Sequence, residues 1–167
     1  MMQKRSLGEL RRALQNVSEA TRRTVRMPKS WEAGWQNLDY LGWRDPSARQ
    51  RGYLFVEREG QLQGIMLERA RLASAPARAV MCTLCRMPRR FEQVILFTGR
   101  SAASDQSRSS RGSYLCAELD CNSRVNRLLP SSMLEGSAEE FVAGRRQGLR
   151  ERAHSFVAEV LRGAPSA

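Results

Sequence analysis

Four cysteines constrain this chain more than any other feature. They fall into two short-spaced pairs, Cys82-Thr83-Leu84-Cys85 and Cys116-Ala117-Glu118-Leu119-Asp120-Cys121, separated by the 30 residues from Arg86 to Leu115. The first pair is C-x2-C and the second C-x4-C. A borderline-soft divalent metal accepts four thiolates in a tetrahedron, with sulfur about 2.3 Å from the metal. Each pair fits one tight turn, and folding brings the turns together. The plainer alternative is four unrelated buried thiols, because a free cysteine behaves as a small hydrophobe. No cysteine lies outside the two pairs, which argues for a structural zinc site held by Cys82, Cys85, Cys116 and Cys121.

Disulfides are the other competitor, and compartment decides between them. Met1 to Arg5 is polar and basic, and Ser6-Leu7-Gly8-Glu9 stands where a signal peptide would need an apolar run. No stretch approaches the ~20 apolar residues that span a bilayer. The expectation is a cytoplasmic protein without a membrane partner, where metal thiolate prevails over disulfide. At 167 residues the length suits one domain with a helical appendage. The predicted division is an N-terminal helical segment over residues 1–34 and a zinc-finger domain over 35–167.

Elements can be placed along the chain. Ser6 and Glu9 form a candidate capping box, and Leu7, Leu10, Leu14 and Val17 recur on one face, so a single helix is predicted up to Met27-Pro28. It is amphipathic and reads as a peripheral helix docked on the core. All three tryptophans lie between Trp31 and Trp43. Leu38, Tyr40, Leu41 and Trp43 are assigned to the core, aromatics having the largest burial area per residue. Tyr53–Glu57 and Leu62–Glu68 flank Glu59-Gly60 as an antiparallel hairpin. Residues 70–79 read as a linker. Val94-Ile95-Leu96-Phe97 is the strongest strand signal, Ser101–Gly112 reads as a mobile loop, and Ser113-Tyr114-Leu115 returns into Cys116. A long helix follows Ser137, capped through Glu140, with Val142, Leu149, Ala153, Phe156, Val160 and Leu161 on one face and Gly163 as its stop.

Knuckle, strand, loop, strand and second cysteine pair, in that order, describe a treble clef. The predicted fold is α+β: a treble-clef zinc finger with a small antiparallel sheet, an N-terminal helix and a long C-terminal helix. Three stretches resemble one family: Leu38-Asp39-Tyr40-Leu41-Gly42-Trp43-Arg44-Asp45-Pro46, the Cys82/Cys85 knuckle, and Gly112-Ser113-Tyr114-Leu115-Cys116 through Asp120-Cys121-Asn122. The chain resembles the elongation factor G-binding proteins of the FusB type, associated with fusidic acid resistance. That resemblance implies a zinc-stabilised module that binds elongation factor G and helps release it from stalled ribosomes. Members carry a larger N-terminal helical bundle than this sequence shows.

Charge and candidate catalytic groups narrow the function classes. Net charge is +11, and Lys4 and Lys29 are the only lysines, so the excess is arginine. Such a surface favours an acidic partner, protein or nucleic acid, and speeds encounter with either. Arg86, Arg89 and Arg90 follow the knuckle with Phe91 next in the chain. Arg108 and Arg111, with Arg100, flank the loop, and Arg124 and Arg127 follow the last cysteine. These residues form the candidate partner-binding surface, with ribosomal RNA as the competing partner. The single histidine, His154, has no nucleophile spaced for a triad. Four thiolates close the coordination sphere, and no glycine-rich phosphate loop is present. An enzyme with a small-molecule substrate is therefore not expected.

Overall fold

The computed structural model describes residues 2–29, 35–71, 80–90, 92–101, 109–127 and 137–162. Its frame is a five-stranded antiparallel sheet in the order β1-β2-β3-β6-β7. The strands are β1 (Leu41–Arg44), β2 (Arg51–Arg58), β3 (Gln61–Arg69), β6 (Val94–Arg100) and β7 (Ser110–Cys116). A separate two-stranded ribbon, β4 (Val80–Met81) with β5 (Pro88–Arg89), carries the first cysteine pair. The turn between β2 and β3 is Glu59-Gly60, and both residues have positive φ, 52° and 77°. That is the two-residue hairpin geometry whose twist matches the strands, and glycine adopts it without a steric penalty.

Period-two alternation along β2 distributes its side chains to two cores. Leu54 and Val56 join Ile65, Leu67, Phe97 and Leu115 beneath α4 (Ala138–Arg162), which adds Leu149, Ala153, Phe156, Val157 and Val160. Tyr53 and Phe55 point the other way, toward Leu10, Leu14, Val25, Trp35 and Trp43. Trp43 stacks on Phe55 with ring centroids 5.4 Å apart. Because β2 is buried on both faces, its residues 52–56 are all buried. The capping box expected for α4 is present: Glu140 N–H donates to Ser137 Oγ at 3.1 Å, and Ser137 N–H donates to Glu140 Oε2 at 3.3 Å. Val142 and Leu161 are only half-buried. Gly163, the expected stop, lies outside the described residues, as do Trp31 and residues 72–79 of the expected linker.

Two expectations require correction. The single N-terminal helix is two short ones, α1 (Leu7–Ala13) and α2 (Glu19–Thr24), each capped by serine. The break has a tertiary cause. β3 pairs with β6 only at Glu68 and Arg69, so the earlier part of β3 has an open edge. The chain at Leu14–Asn16 fills that edge. Gln15 N–H donates to the Gly64 carbonyl at 3.0 Å, and the Asn16 amide bonds both N–H and C=O of Met66, at 2.8 and 3.0 Å. An asparagine so engaged competes with helical pairing. The expected loop of residues 101–112 is shorter too. Arg100↔Ser110, Gly99↔Arg111 and Thr98↔Gly112 are paired, since ladder bonds form between backbones and need no apolar side chain. Residues 102–108 lie outside the described residues. No helix among the described residues is long and apolar enough to cross a membrane.

Candidate metal centre and basic groove

The β4–β5 knuckle places Cys82 and Cys85 in one turn. Cys82 N–H donates to the Met87 carbonyl at 3.3 Å, and Arg86 N–H returns to the Cys82 carbonyl at 2.8 Å with Arg86 at φ 54°. Thr83 N–H donates to the Tyr114 carbonyl at 2.8 Å and so fastens the knuckle to β7. Cys116 ends β7, and Cys121 opens α3 (Cys121–Val125) after a turn in which Leu119 has φ 55°. All four sulfurs are buried and lie within 4.8 Å of one another, with Cys82–Cys121 and Cys85–Cys116 each at 3.7 Å. A tetrahedron with arms of about 2.3 Å has edges of about 3.8 Å, so the spacing suits one metal ion. It is far from the ~2.05 Å of a disulfide.

Crowding makes the four thiols titrate as one unit. Hydrogen bonding from Cys116 holds Cys82 and Cys85 below the ordinary thiol range. Cys121 is pushed up by its bonds to Cys116, Cys82 and Cys85, then by burial. For Cys116 the bond to Cys121 pulls down, and its bonds to Cys82 and Cys85, with burial, outweigh it. Such a cluster cannot hold four thiolates in a dry interior by itself; a divalent cation bound by Cys82, Cys85, Cys116 and Cys121 would supply the missing charge.

The LDYLGWRDP stretch braces this centre. The fully buried Tyr40 donates its hydroxyl to the Leu119 carbonyl at 2.8 Å and accepts from Cys121 N–H at 3.4 Å. Asn122, beside Cys121, accepts from Asp39 N–H at 2.7 Å and donates to the Tyr40 carbonyl at 2.7 Å. Asp39 is fully enclosed and receives Arg146 at 2.9 Å and Arg150 at 2.8 Å, tying α4 to the start of β1. A Cβ on Gly42 would sit 2.7 Å from the Tyr40 ring, so only glycine lets that ring lie flat on the strand. Trp43 Nε1 donates to the Arg26 carbonyl, Arg44 reaches Glu118 at 3.1 Å, and Asp45 accepts the Tyr53 hydroxyl at 2.7 Å.

The arginines singled out in the sequence divide into different environments. Arg89 is not available to a partner: its side chain is 8% exposed and bonds Asp120 at 2.8 Å. Burial opposes its charge, but hydrogen bonding to Cys116 and the nearby Asp120 carboxylate raise its pKa on balance. The charge at position 89 thus belongs to the metal centre. Arg86, Arg124 and Arg127 line one groove of about 750 Å³ together with Arg145, Arg152 and Phe141. Arg111 lines a second hollow with Arg86 and Arg152, and Arg90 is exposed. Phe91 and Arg108 lie outside the described residues. The sequence places Tyr40 in the core and Asn122 in the stretch that carries the resemblance, but it does not show their bonds to the cysteine turn. Arg145 and Arg152 were not singled out, and their seven-residue spacing on one helix was the available signal. His154, half-buried in α4, has its pKa lowered by burial, then by Arg58 and Arg150.

Comparison with known proteins assigns this arrangement. The FBP C-terminal treble-clef zinc-finger family matches residues 9–160. The chain belongs to that family. Its treble clef is the knuckle, the β6–β7 hairpin and the start of α3, with four buried cysteines placed to bind a metal ion. Among solved structures, this family member is similar in fold to the fusidic acid resistance protein FusC. The TM-score is 0.54 at 19% identity, covering 72% of this chain and 52% of FusC. The chain thus spans about half the length of that protein. No protein of curated function matches it.

Proposed function

We propose that the chain is a non-catalytic adaptor, braced by zinc, that binds elongation factor G and promotes its release from stalled ribosomes in the cytoplasm. Family membership across residues 9–160 is the observation that carries this reading. The solved neighbour is a fusidic acid resistance protein, which agrees with it. Zinc is the metal favoured by a closed set of four thiolates, and Cys82, Cys85, Cys116 and Cys121 would hold it. Such a centre has a structural role, since no position is left for water or substrate.

Partner binding falls to the surface around that centre. Arg86, Arg90 and Arg127 are exposed and make no ion pair among the described residues. Arg86 joins Arg124 and Arg127 in one groove and Arg111 in the adjoining hollow, and with Arg90 nearby in the chain this positive charge would steer an acidic protein and fix its orientation. Calorimetry of the zinc-loaded chain with elongation factor G at physiological salt should give a saturable 1:1 complex. Arg90→Glu with Arg127→Glu should weaken it while zinc content and melting temperature stay unchanged. Absence of binding by the folded protein overturns the reading. In that case tight binding to ribosomal RNA fragments, with affinity falling steeply as salt rises, would put RNA in place of the protein partner.

A further inference from the structure

The groove beside Cys85 has a chemistry more specific than positive charge. Phe141 and Met87 give it an apolar floor, and Arg145 is locked beside them: its guanidinium lies 5.4 Å from the Phe141 ring centroid, 3.1 Å from Met87 Sδ and 2.9 Å from the Arg124 carbonyl. Burial lowers its pKa, as expected for a cation set into a wall. Phe141 is nevertheless 41% exposed, an exception among the described large hydrophobics, shared only with Met81. Beside these apolar side chains the groove is lined by Arg86, Arg124, Arg127 and Arg152, with Glu140 the one acid among the described lining residues; Arg124 also reaches Asp120 at 3.6 Å. Arg152 is held by its bond to the Leu84 carbonyl at 2.6 Å, which leaves its terminal nitrogens for a ligand.

Gly144 adds an independent observation. It stands inside α4, on the groove wall, where glycine costs about 1 kcal/mol relative to alanine. Among the described residues, nothing lies within 4 Å of where its Cβ would be. No described residue packs against that position, and the missing side chain leaves the groove wall open among the described residues.

We propose that this groove receives a short acidic segment of a partner protein. One apolar side chain would enter against Phe141 and Met87, and flanking carboxylates would pair with Arg86, Arg124, Arg127 and Arg152. Apolar floor and cationic rim together select that ligand, because an interface hot spot needs a desolvated anchor inside a polar ring. Nucleic acid fits less well: a base stacks on a free aromatic face, and Arg145 already covers a face of Phe141. The inference rests on the reading of the chain as a protein-binding adaptor and assigns that role a position.

The test uses the full metal-loaded chain and the peptide Glu-Glu-Phe-Glu-Glu-amide with fluorescein on its N-terminus in place of an acetyl cap, followed by fluorescence anisotropy. Binding should saturate, weaken with salt, and fall about thirty-fold when alanine replaces the peptide's phenylalanine, the size of a hot-spot loss. Gly144→Leu fills the opening while favouring the helix, so it should bind the peptide at least about ten-fold more weakly and melt no lower than the parent. Phe141→Ala should weaken binding similarly. Equal peptide affinity in Gly144→Leu and the parent would overturn the proposal, as would no saturable binding by the parent. Tighter binding of a labelled oligouridylate at the same groove would overturn it in favour of nucleic acid. Elongation factor G, titrated against the same proteins, separates the two readings. If it binds parent and Gly144→Leu alike, the groove assignment falls and the adaptor stands; if only the peptide binds, the groove stands and that partner falls.

Discussion

Replacing Tyr40 by phenylalanine removes one oxygen and tests how the second cysteine pair is held. The Tyr40 ring is fully buried and would remain in place. Its hydroxyl is the partner of the Leu119 carbonyl at 2.8 Å and of the Cys121 N–H at 3.4 Å. Leu119 and Cys121 are themselves buried, so no water replaces the lost partner. An orphaned buried carbonyl costs about 1–3 kcal/mol, and the longer contact to Cys121 adds less. Tyr40→Phe should therefore lose about 2–3 kcal/mol of stability in urea at fixed free metal. The deficit falls on the turn between two metal ligands, so transfer of the metal to excess chelator should also accelerate. Tyr53→Phe is the matched control. Tyr53 is equally buried, but its hydroxyl serves Asp45 rather than the cysteine turn, so it should cost stability and leave chelator kinetics unchanged. If Tyr40→Phe changes stability by less than about 0.5 kcal/mol, or the two variants lose metal alike, the hydroxyl is not the brace.

Asp39→Asn should lower stability by about 1–3 kcal/mol in the same urea assay, less than a wholly buried ion pair, because Arg146 and Arg150 reach solvent. Arg89→Ala should hasten metal loss and lower the melting temperature, having stripped a cation from Cys116 and Asp120, whereas exposed Arg90→Glu should shift stability by no more than about 0.5 kcal/mol. His154 has a folded pKa below its ordinary 6.5, so the unfolded chain takes up its proton first. Its contribution is complete above pH 6.5 and is lost as pH falls through the folded pKa; melting curves from pH 7 to 5 should decline less steeply for His154→Gln than for the parent.

Local patterns in the sequence already contained much of the fold. The Glu59-Gly60 turn, the Val94–Phe97 run and the cysteine pairs each specify geometry within a few residues, and the structure keeps them. The N-terminal break was not legible because its cause is the open edge of β3, some 50 residues away, to which Asn16 bonds. The enclosure of Arg89 is equally invisible in the local sequence. Nothing near position 89 marks it as enclosed; its partner Asp120 is 31 residues distant and arrives only when the metal turn closes. The LDYLGWRDP stretch was recognisable by resemblance, but its work of holding Leu119, Cys121 and Asn122 depends on contacts about 80 residues apart. The groove combines knuckle, α3 and α4, and the cavity left by Gly144 has no signature beyond an unfavourable residue in a helix.

The zinc-braced fold is tested most directly by the mass of the folded chain under native spray conditions, with alkylation of its thiols before and after chelation. One zinc ion per chain is expected, with four thiols that resist alkylation until the metal is withdrawn and loss of tertiary structure on withdrawal, since metal affinity in such a site is folding free energy. A folded chain that carries no metal, or whose mass reveals disulfides among Cys82, Cys85, Cys116 and Cys121, would contradict it.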